Sequence, residues 1–399
     1  MIHEIDVRIK DLKSISVGEP IKVMLTVKVA NEKELVKNKA IKKELEKFGE
    51  IELSVKAYLV HRLSMIFRFS SFKDFLMGQK NKIEKEVKEH EIALSIFVQP
   101  GDSIEVPMQL VLKNFVPCLH IRYAKTRKEN KQLKRIDLCN YLIFDVSLPR
   151  SNNLRIKKEV MFEPMISDLE FIRSSAYDLL KKLDLDKENI KVNEVGDILK
   201  GIIRLDDVEF NFSIPTFNRF SRIPVVNGLL EKLTKVLLFS LPITFSVTNY
   251  PNVIPRHYRL KLSVYHYFEY YENDASTKIV EYFPISEIPI SLIVAKNYQE
   301  GITFLRHRRS KVSIILTEDR MSVKFDWKIS VKRELIGAFL KRIEDRYIVF
   351  APPPSFLADV NGMHIASYYL LKITMWDGSR MKWINMPFFL YGEHSISNE

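Results

Sequence analysis

Residues 349–392, VFAPPPSFLADVNGMHIASYYLLKITMWDGSRMKWINMPFFLYG, indicate the fold more clearly than any other stretch. Two apolar runs rich in β-branched and aromatic residues flank the dipeptide Asp377-Gly378. Asp-Gly favours a two-residue hairpin turn, because both central positions of a type I′ turn need positive φ. That turn predicts an antiparallel pair in which Leu371 faces Ile384. The stretch contains no catalytic or ligand-binding motif.

The composition is that of a folded protein with packed sheets. The chain has 399 residues, which exceeds one ordinary core and predicts about two domains. Apolar residues make up 46% of the chain, and 25 Phe and 16 Tyr stand against 12 Gly. This balance favours sheet packing over disorder.

The net charge of +12 raises the prospect of acidic or phosphate-bearing partners. Nucleic acid, an anionic membrane and a phosphorylated protein tail are the three classes that fit. The alternative is a lysine-rich protein whose charge only keeps it monodisperse.

Cysteine content and hydropathy predict a cytoplasmic protein. Cys118 and Cys139 are the only thiols, which excludes a disulfide framework and any cysteine-based zinc module. The first ten residues, MIHEIDVRIK, alternate like a strand and do not resemble a signal peptide. No apolar run approaches the ~20 residues that span a bilayer.

In the first half of the chain, hydrophobic periodicity predicts mostly strands. Apolar residues alternate with polar ones from Ile21 to Val29, after a Gly18-Glu19-Pro20 turn. Two helices are predicted here: residues 38–48, ending at Gly49, and a run opened by the capping box Ser71-x-x-Asp74 that extends to Val87. The predicted strands cover residues 5–29, 51–69, 92–112 around Pro100-Gly101-Asp102, 141–148 and 156–162. Six or more strands with helices confined to insertions favour a β-sandwich.

The second half repeats this plan. Helical spacing predicts a connecting helix over residues 168–183 and another helix over 225–239, with a loop at 215–224 between strands. The further strands are predicted at residues 190–205 (bending at Gly196-Asp197), 258–271, 280–283, 288–295, 312–316, 321–331 and 346–350. The predicted domains are therefore 1–165 and 186–399, joined by a helical connector at 166–185, with an insertion around 215–240 in the second domain.

Three stretches in this order resemble arrestin-like proteins, which are two β-sandwiches in tandem. They are ISVGEPIKVMLTV near the start, IFVQPGDSIEVPMQLVLKNFVPC after it, and the late ASYYLLKI with the trailing INMPFFLYG. The resemblance implies tandem antiparallel β-sandwiches and a non-catalytic scaffold or adaptor, as in receptor-binding arrestins, the retromer arrestin-like subunit and bacterial sporulation-control relatives. Such a protein would need no cofactor or metal.

A search for catalytic motifs gives the same expectation. There is no G-x-S-x-G elbow, P-loop, G-x-G-x-x-G or H-E-x-x-H motif. Cys118 and His120 would share a strand face, but two ligands do not make a zinc site, and a structural pair is the simpler interpretation. We therefore expect a protein that is not an enzyme, although catalysis by residues distant in sequence leaves no such signature.

Two basic clusters are the candidate partner-binding residues, because arginine presents a planar fork to phosphate or carboxylate. One lies between predicted strands and the other in a long loop; the candidates are Arg306, Arg308, Arg309 and Lys311, and Lys125, Arg127 and Lys128. They are expected to bind phosphorylated or acidic proteins or an anionic membrane surface; the alternative is that both are solvated hairpin tips. Nucleic-acid binding is the weaker form of the hypothesis, because only Tyr123 and Phe304 are aromatic near the clusters.

Residues 265–271, YHYFEYY, form a dense aromatic strand. Alternate residues should point into the core of a sandwich. The other half is expected to be covered, or else to form an exposed contact surface.

Overall fold

A computed structural model gives the structure of the chain. It describes residues 2–9, 18, 20–67, 82–114, 116, 119–122, 133–149, 153–160, 190–192, 198–205, 208–220, 223–225, 235–248, 256–273, 278–294, 302–305, 312–317, 320–332, 340–343, 347–350 and 355–392. Within those ranges the chain forms 24 strands and two helices, so the protein is mainly β, as predicted.

The chain divides into two compact units. Unit 1 comprises Met1–His120, Arg127–Phe171 and Ala358–Met363, and unit 2 comprises Ile121–Thr126, Ile172–Leu357 and His364–Glu399.

Eight strands and both helices lie in the first 160 residues. They are β1 (Ile2–Ile9), β2 (Pro20–Val29), α1 (Glu32–Leu35), α2 (Lys39–Phe48), β3 (Ile51–Phe67), β4 (Lys82–Val98), β5 (Ser103–Val111), β6 (Leu119–Arg122), β7 (Leu133–Ser147) and β8 (Leu154–Val160). One sheet has the order β1-β2-β5, and the other has the order β4-β3-β7-β6 with β8 paired to β7. Side chains of both sheets, including Val23 and Leu25 from β2 and Val55 and Phe144 from β3 and β7, belong to one buried core.

In the first 160 residues, the predicted strands and helix are correct where the alternation of apolar residues or the helix-capping pattern is strong. Strand β2 buries every second residue from Ile21 to Val29. Helix α2 begins where the Asn38 side chain accepts a hydrogen bond from the Ala40 N–H at 3.0 Å, and it ends at Gly49, whose φ is +74°. Gly101, at φ +84°, turns the chain between β4 and β5 as the Pro-Gly signal predicted.

The helix predicted from Ser71 to Val87 is wrong for residues 82–87. These residues begin β4, which pairs antiparallel with β3 from Ile83 opposite Met65 to Val98 opposite Ile51. Ile83 and Val87 are four residues apart, a spacing that shares a face in a strand as well as in a helix. The pairing with β3 decides the outcome, while residues 68–81 lie outside the described ranges.

Sixteen further strands follow. They are β9 (Ile190–Val192), β10 (Ile198–Leu205), β11 (Val208–Pro215), β12 (Phe217–Phe220), β13 (Ile223–Val225), β14 (Lys235–Thr248), β15 (Arg256–Glu272), β16 (Lys278–Val294), β17 (Ile302–Leu305), β18 (Val312–Thr317), β19 (Arg320–Lys332), β20 (Leu340–Ile343), β21 (Tyr347–Phe350), β22 (Phe356–Val360), β23 (Met363–Trp376) and β24 (Met381–Gly392). They form sheets of order β18-β19-β14-β11-β10-β9, β12-β24-β23-β15-β16-β17 with β22 on β23, and β13-β21-β20.

Three predictions in this half are wrong. Residues 217–220 and 223–225 are strands rather than loop, since β12 pairs in parallel with β24 and β13 pairs with β21. Residues 235–239 are strand rather than helix, because β14 pairs with β19 from Lys235 to Val247, with an irregularity between Leu237 and Phe239. The separate strands predicted at 280–283 and 288–295 are one strand, β16, with a register shift opposite Val264/Tyr265.

The β23–β24 hairpin forms, but its connection is longer than predicted. Leu371 pairs with Met386 and Ile373 pairs with Ile384, so the register differs by two residues. The Asp377 carboxylate accepts hydrogen bonds from the backbone N–H of Ser379 at 2.8 Å and of Arg380 at 2.7 Å. This four-residue turn replaces the two-residue turn, and a shift of two leaves every side chain on its predicted face.

The β10 and β24 strands of unit 2 approach each other closely from two sheets. A Cβ built on Gly201 would lie 2.4 Å from Cδ1 of Ile384 and 2.8 Å from Sδ of Met386. Aromatic side chains fill the same core, and the Phe239 ring lies 5.8 Å from the Tyr369 ring. The two larger sheets of this unit therefore pack face to face.

Several sequence predictions lie outside the described residues, among them the helix at 168–183, the Gly196-Asp197 bend and Cys118. In the part of the chain that the structure describes, no helix is both long and apolar enough to cross a membrane.

Candidate functional site

All of the predicted partner-binding residues lie outside the described residues. The structure therefore neither brings them together nor separates them; they are Arg306, Arg308, Arg309, Lys311, Lys125, Arg127 and Lys128. The described residues instead contain two buried polar clusters and one exposed cluster that the sequence interpretation did not identify.

The first buried cluster is centred on His61 of β3. Its Nδ1 lies 2.7 Å from Oδ1 of Asn140, and its Nε2 lies 2.9 Å from Oε2 of Glu89. The Asn140 amide nitrogen donates to the Val116 carbonyl at 2.6 Å, which turns Oδ1 toward His61. Nδ1 of His61 therefore faces an acceptor, and Nε2 shares a hydrogen bond with the Glu89 carboxyl group.

A β-bulge positions Glu89 for this contact. Leu59 pairs with His90 and Val60 with Lys88, so Glu89 is the extra residue on β4. Its Oε1 accepts from the backbone N–H of Lys113 at 3.0 Å, and also from Asn114 through the backbone N–H and the side-chain amide. The bulge thus turns a carboxylate inward to hold the chain as it leaves β5.

This cluster has no route to a substrate. The His61 side chain is 0% exposed and that of Glu89 is 2% exposed. A buried polar network whose members are hydrogen-bonded to one another fixes neighbouring segments. We therefore interpret the His61–Glu89–Asn140 network as an internal support.

The second buried cluster is a Ser–His pair between β15 and β23. The Nε2 atom of His266 lies 2.9 Å from Oγ of Ser367, and the His266 ring lies 5.2 Å from the Tyr369 ring. Burial lowers the pKa of His266 to about 3, which keeps the imidazole neutral. A neutral imidazole beside a hydroxyl could serve as a general base, but His266 is 1% and Ser367 0% exposed. No substrate reaches this pair.

The aromatic strand β15 is covered on both faces at its centre. Tyr267 and Phe268 are both buried, and the Tyr267 ring lies 4.5 Å from that of Tyr368. Burial raises the pKa of both tyrosines well above the usual range, and the Tyr267 hydroxyl donates to Glu269 at 2.9 Å. The covered second face that the sequence predicted is confirmed there, and Tyr271 at the strand end is exposed.

The exposed cluster lies where β15, β23 and β24 run side by side. We name it the Trp–cation patch, and it consists of Arg259, Lys372, Trp376, Met381 and Trp383. Strand alternation places all of them outward, because the intervening residues point into the core; those buried neighbours are Leu260, Leu371, Ile373, Met375 and Ile384.

Cations lie over both tryptophan rings of the patch. Cζ of Arg259 is 4.6 Å from the ring centroid of Trp376, and Nζ of Lys372 is 5.6 Å from that of Trp383. Trp383 is 53% exposed and Met381 is 60% exposed. Large apolar side chains and fixed cations therefore share one accessible surface.

The surroundings of the patch are basic. Arg380 and Lys382 are exposed on the same hairpin, and the pKa of Asp377 is lowered by the hydrogen bonds from the Arg380 and Ser379 backbone. On the adjacent strand β16, Glu287 pairs with Lys261 at 2.7 Å. Glu287 thus has a cation of its own and does not pair with Arg259 or Lys372.

Part of the Trp–cation patch could have been predicted from the sequence. Alternation along 372–376 and 381–385 already places Trp376, Met381 and Trp383 on one face. Alternation could not place Arg259 in the patch. Arg259 lies more than a hundred residues earlier in the chain, and only the order of strands in the sheet brings β15 next to β23.

In the described ranges, no three His, Cys, Asp or Glu side chains converge in a way that could hold a metal ion. Fold and surface together define a mainly β protein with buried, satisfied polar groups and an exposed aromatic–basic face. A scan against protein-family models and a search of curated proteins both find no match.

Proposed function

We propose that the protein is a non-catalytic scaffold or adaptor of arrestin-like type, acting in the cytoplasm on acidic or phosphorylated partner proteins. The observation that carries the proposal is the Trp–cation patch, an exposed surface held in place by three hydrogen-bonded strands. Tryptophan, methionine and arginine are the side chains enriched in protein interfaces, where tryptophan and arginine also dominate the binding energy.

The distribution of reactive groups supports a binding role. The described histidines with close polar partners of catalytic type, His61 and His266, are both buried, so their hydrogen bonds serve the fold. The accessible cluster offers apolar area and positive charge, which suit recognition of another molecule. The arrestin-like resemblance of the sequence favours the same role.

Affinity capture of the tagged protein from its native cells tests the proposal. We expect a defined protein partner in near-stoichiometric amount, which survives nuclease treatment and is confirmed by reconstitution from purified components. Recovery of no reproducible protein, or of nucleic acid alone, would contradict a scaffold role.

The basic clusters stay a prediction of the same proposal. Replacing Arg306, Arg308 and Arg309 together by Glu should weaken capture of a phosphorylated or acidic partner. Unchanged capture would remove this cluster from the binding surface while leaving the scaffold role intact.

Nucleic-acid binding is the second candidate, and the exposure of Trp383 beside Lys372 favours it, because bases stack on aromatic rings within basic surfaces. It is the weaker candidate because the guanidinium of Arg259 already lies over the Trp376 ring. Titration with single-stranded DNA or RNA at low salt, repeated at rising salt, separates the two: nucleic-acid affinity must fall steeply with the logarithm of salt concentration.

A further inference from the structure

We infer that the Trp–cation patch docks an acidic segment of a partner protein, in which an apolar side chain is flanked by aspartate or glutamate residues. The inference rests on the proposed scaffold function and names the chemistry of the partner at this one surface. It follows from the apolar content of the patch, its charge and the spacing of its cations.

The apolar part of the patch is built from cross-strand neighbours. Trp376 pairs with Met381 across the hairpin, and Thr374 pairs with Trp383. Directly opposed residues have Cβ atoms ~5 Å apart, so these side chains form one continuous surface. Met381 and Trp383 remain more than half exposed, which leaves a surface that one apolar side chain of a partner can cover.

The charged part of the patch is not neutralised. Neither Arg259 nor Lys372 forms an ion pair with any residue that the structure describes, and each lies over a tryptophan ring instead. A partner that covers the tryptophans must therefore bring negative charge, or it leaves these cations without compensation.

The spacing of the cations favours carboxylates in an extended segment. Arg259 and Lys372 stand on the adjacent strands β15 and β23, which lie ~4.8 Å apart. Alternate side chains of an extended peptide are ~7 Å apart, so acidic residues on both sides of an apolar one can reach cations on different strands. A single phosphate would need several cations converging on one point.

The geometry also argues for a protein segment rather than a membrane. Aromatic anchors of a membrane surface must project beyond the cations to reach the acyl region. In the patch the cations lie over the rings, at 4.6 Å and 5.6 Å, and so cover part of the aromatic surface that a membrane anchor would insert.

Fluorescence anisotropy with a labelled synthetic peptide tests the inference directly. The probe carries alternating Asp and Glu residues around one central Leu, and a peptide with Lys at each acidic position serves as its counterpart. We expect the purified protein to bind the acidic peptide and to ignore the basic one. Trp383→Ala and Lys372→Glu should each weaken binding about tenfold or more.

Matched control variants lie on the other unit. Phe97→Ala removes an equally exposed aromatic side chain, and Lys56→Glu reverses an exposed cation on a strand. Neither should change peptide affinity by more than about twofold. Circular dichroism of all four variants verifies that the fold is retained.

Binding is also measured to vesicles of equimolar phosphatidylcholine and phosphatidylserine and to a single-stranded oligothymidylate. Three outcomes would overturn the inference. They are no preference for the acidic peptide, equal peptide binding by the patch and control variants, and an effect of Trp383→Ala on binding to the vesicles or the oligothymidylate but not to the peptide. If a native protein partner is captured equally well by the wild type and by Trp383→Ala, the scaffold function is retained and only the role of the patch is rejected.

Discussion

Nε2 of His61 lies 2.9 Å from Oε2 of Glu89, and both side chains are shielded from solvent. Removing one member of a buried hydrogen-bonded network leaves its partners without a hydrogen bond. Glu89 also accepts the N–H groups of the segment that follows β5. We expect Glu89→Ala to lower the free energy of unfolding by about 3–5 kcal/mol, as measured by urea denaturation of the transition that includes unit 1.

The control for this prediction is Glu91→Gln on the same strand. Glu91 pairs with Lys88 at 3.7 Å, and both side chains are about half exposed. Exposed pairs contribute little, so the free energy of unfolding should change by less than about 0.5 kcal/mol. A Glu89→Ala protein as stable as this control would refute the support role of the network.

Stability should depend on pH through His266. Its pKa falls from 6.5 to about 3 in the folded protein because burial disfavours the charged ring. Above pH 6.5 the imidazole is neutral in both states, and no stability is lost. As the pH falls from 6.5 toward 3, only the unfolded chain takes up the proton, so stability decreases by up to about 1.4 kcal/mol per pH unit.

A His266→Gln variant should lose this contribution to the pH dependence. The measurement is the free energy of unfolding at several pH values between 7 and ~4, compared between wild type and variant. Identical slopes in wild type and His266→Gln would show that the ring does not remain neutral.

Gly201 is required by close packing rather than by its backbone angles. A methyl group there would meet Cδ1 of Ile384 at 2.4 Å, so Gly201→Ala should destabilise the protein by about 1–3 kcal/mol. Ile384→Val removes that Cδ1 atom, and the double variant should recover part of the loss. Thermal or urea denaturation of the two single variants and the double variant measures this coupling, and strict additivity would contradict the proposed clash.

Asp377 should hold the end of the β23–β24 hairpin. Its carboxylate accepts the backbone N–H groups of Ser379 and Arg380, so Asp377→Ala leaves both donors without this partner. We expect exchange of these two amide protons to accelerate about tenfold, which corresponds to the loss of one ordinary hydrogen bond. Asp377→Asn retains an oxygen acceptor and should exchange at an intermediate rate; equal rates in all three proteins would exclude this role.

Local signals in the sequence were sufficient for some elements. Three features depend only on residues a few positions apart, and each was predicted correctly. They are the alternation from Ile21 to Val29, the helix cap at Asn38 and the helix end at Gly49. The failures share one cause. Ile83 and Val87, like Val236 and Leu237 in their apolar run, fit more than one secondary structure, and pairing with a distant strand decided between them.

The sequence by itself determined that the protein is mainly β, which residues of β23 and β24 point outward, and that the chain carries excess positive charge. Only the tertiary structure decided the hairpin register, the burial of Glu89 beside His61 and the placement of Arg259 over Trp376. The physical reason is that side-chain alternation is a property of each strand, whereas sheet order, bulges and register arise from backbone hydrogen bonds between segments far apart in the chain. The Trp–cation patch depends on both the sequence and the tertiary structure. Alternation along the strands exposes its tryptophans, and the order of strands in the sheet brings Arg259 of β15 beside them.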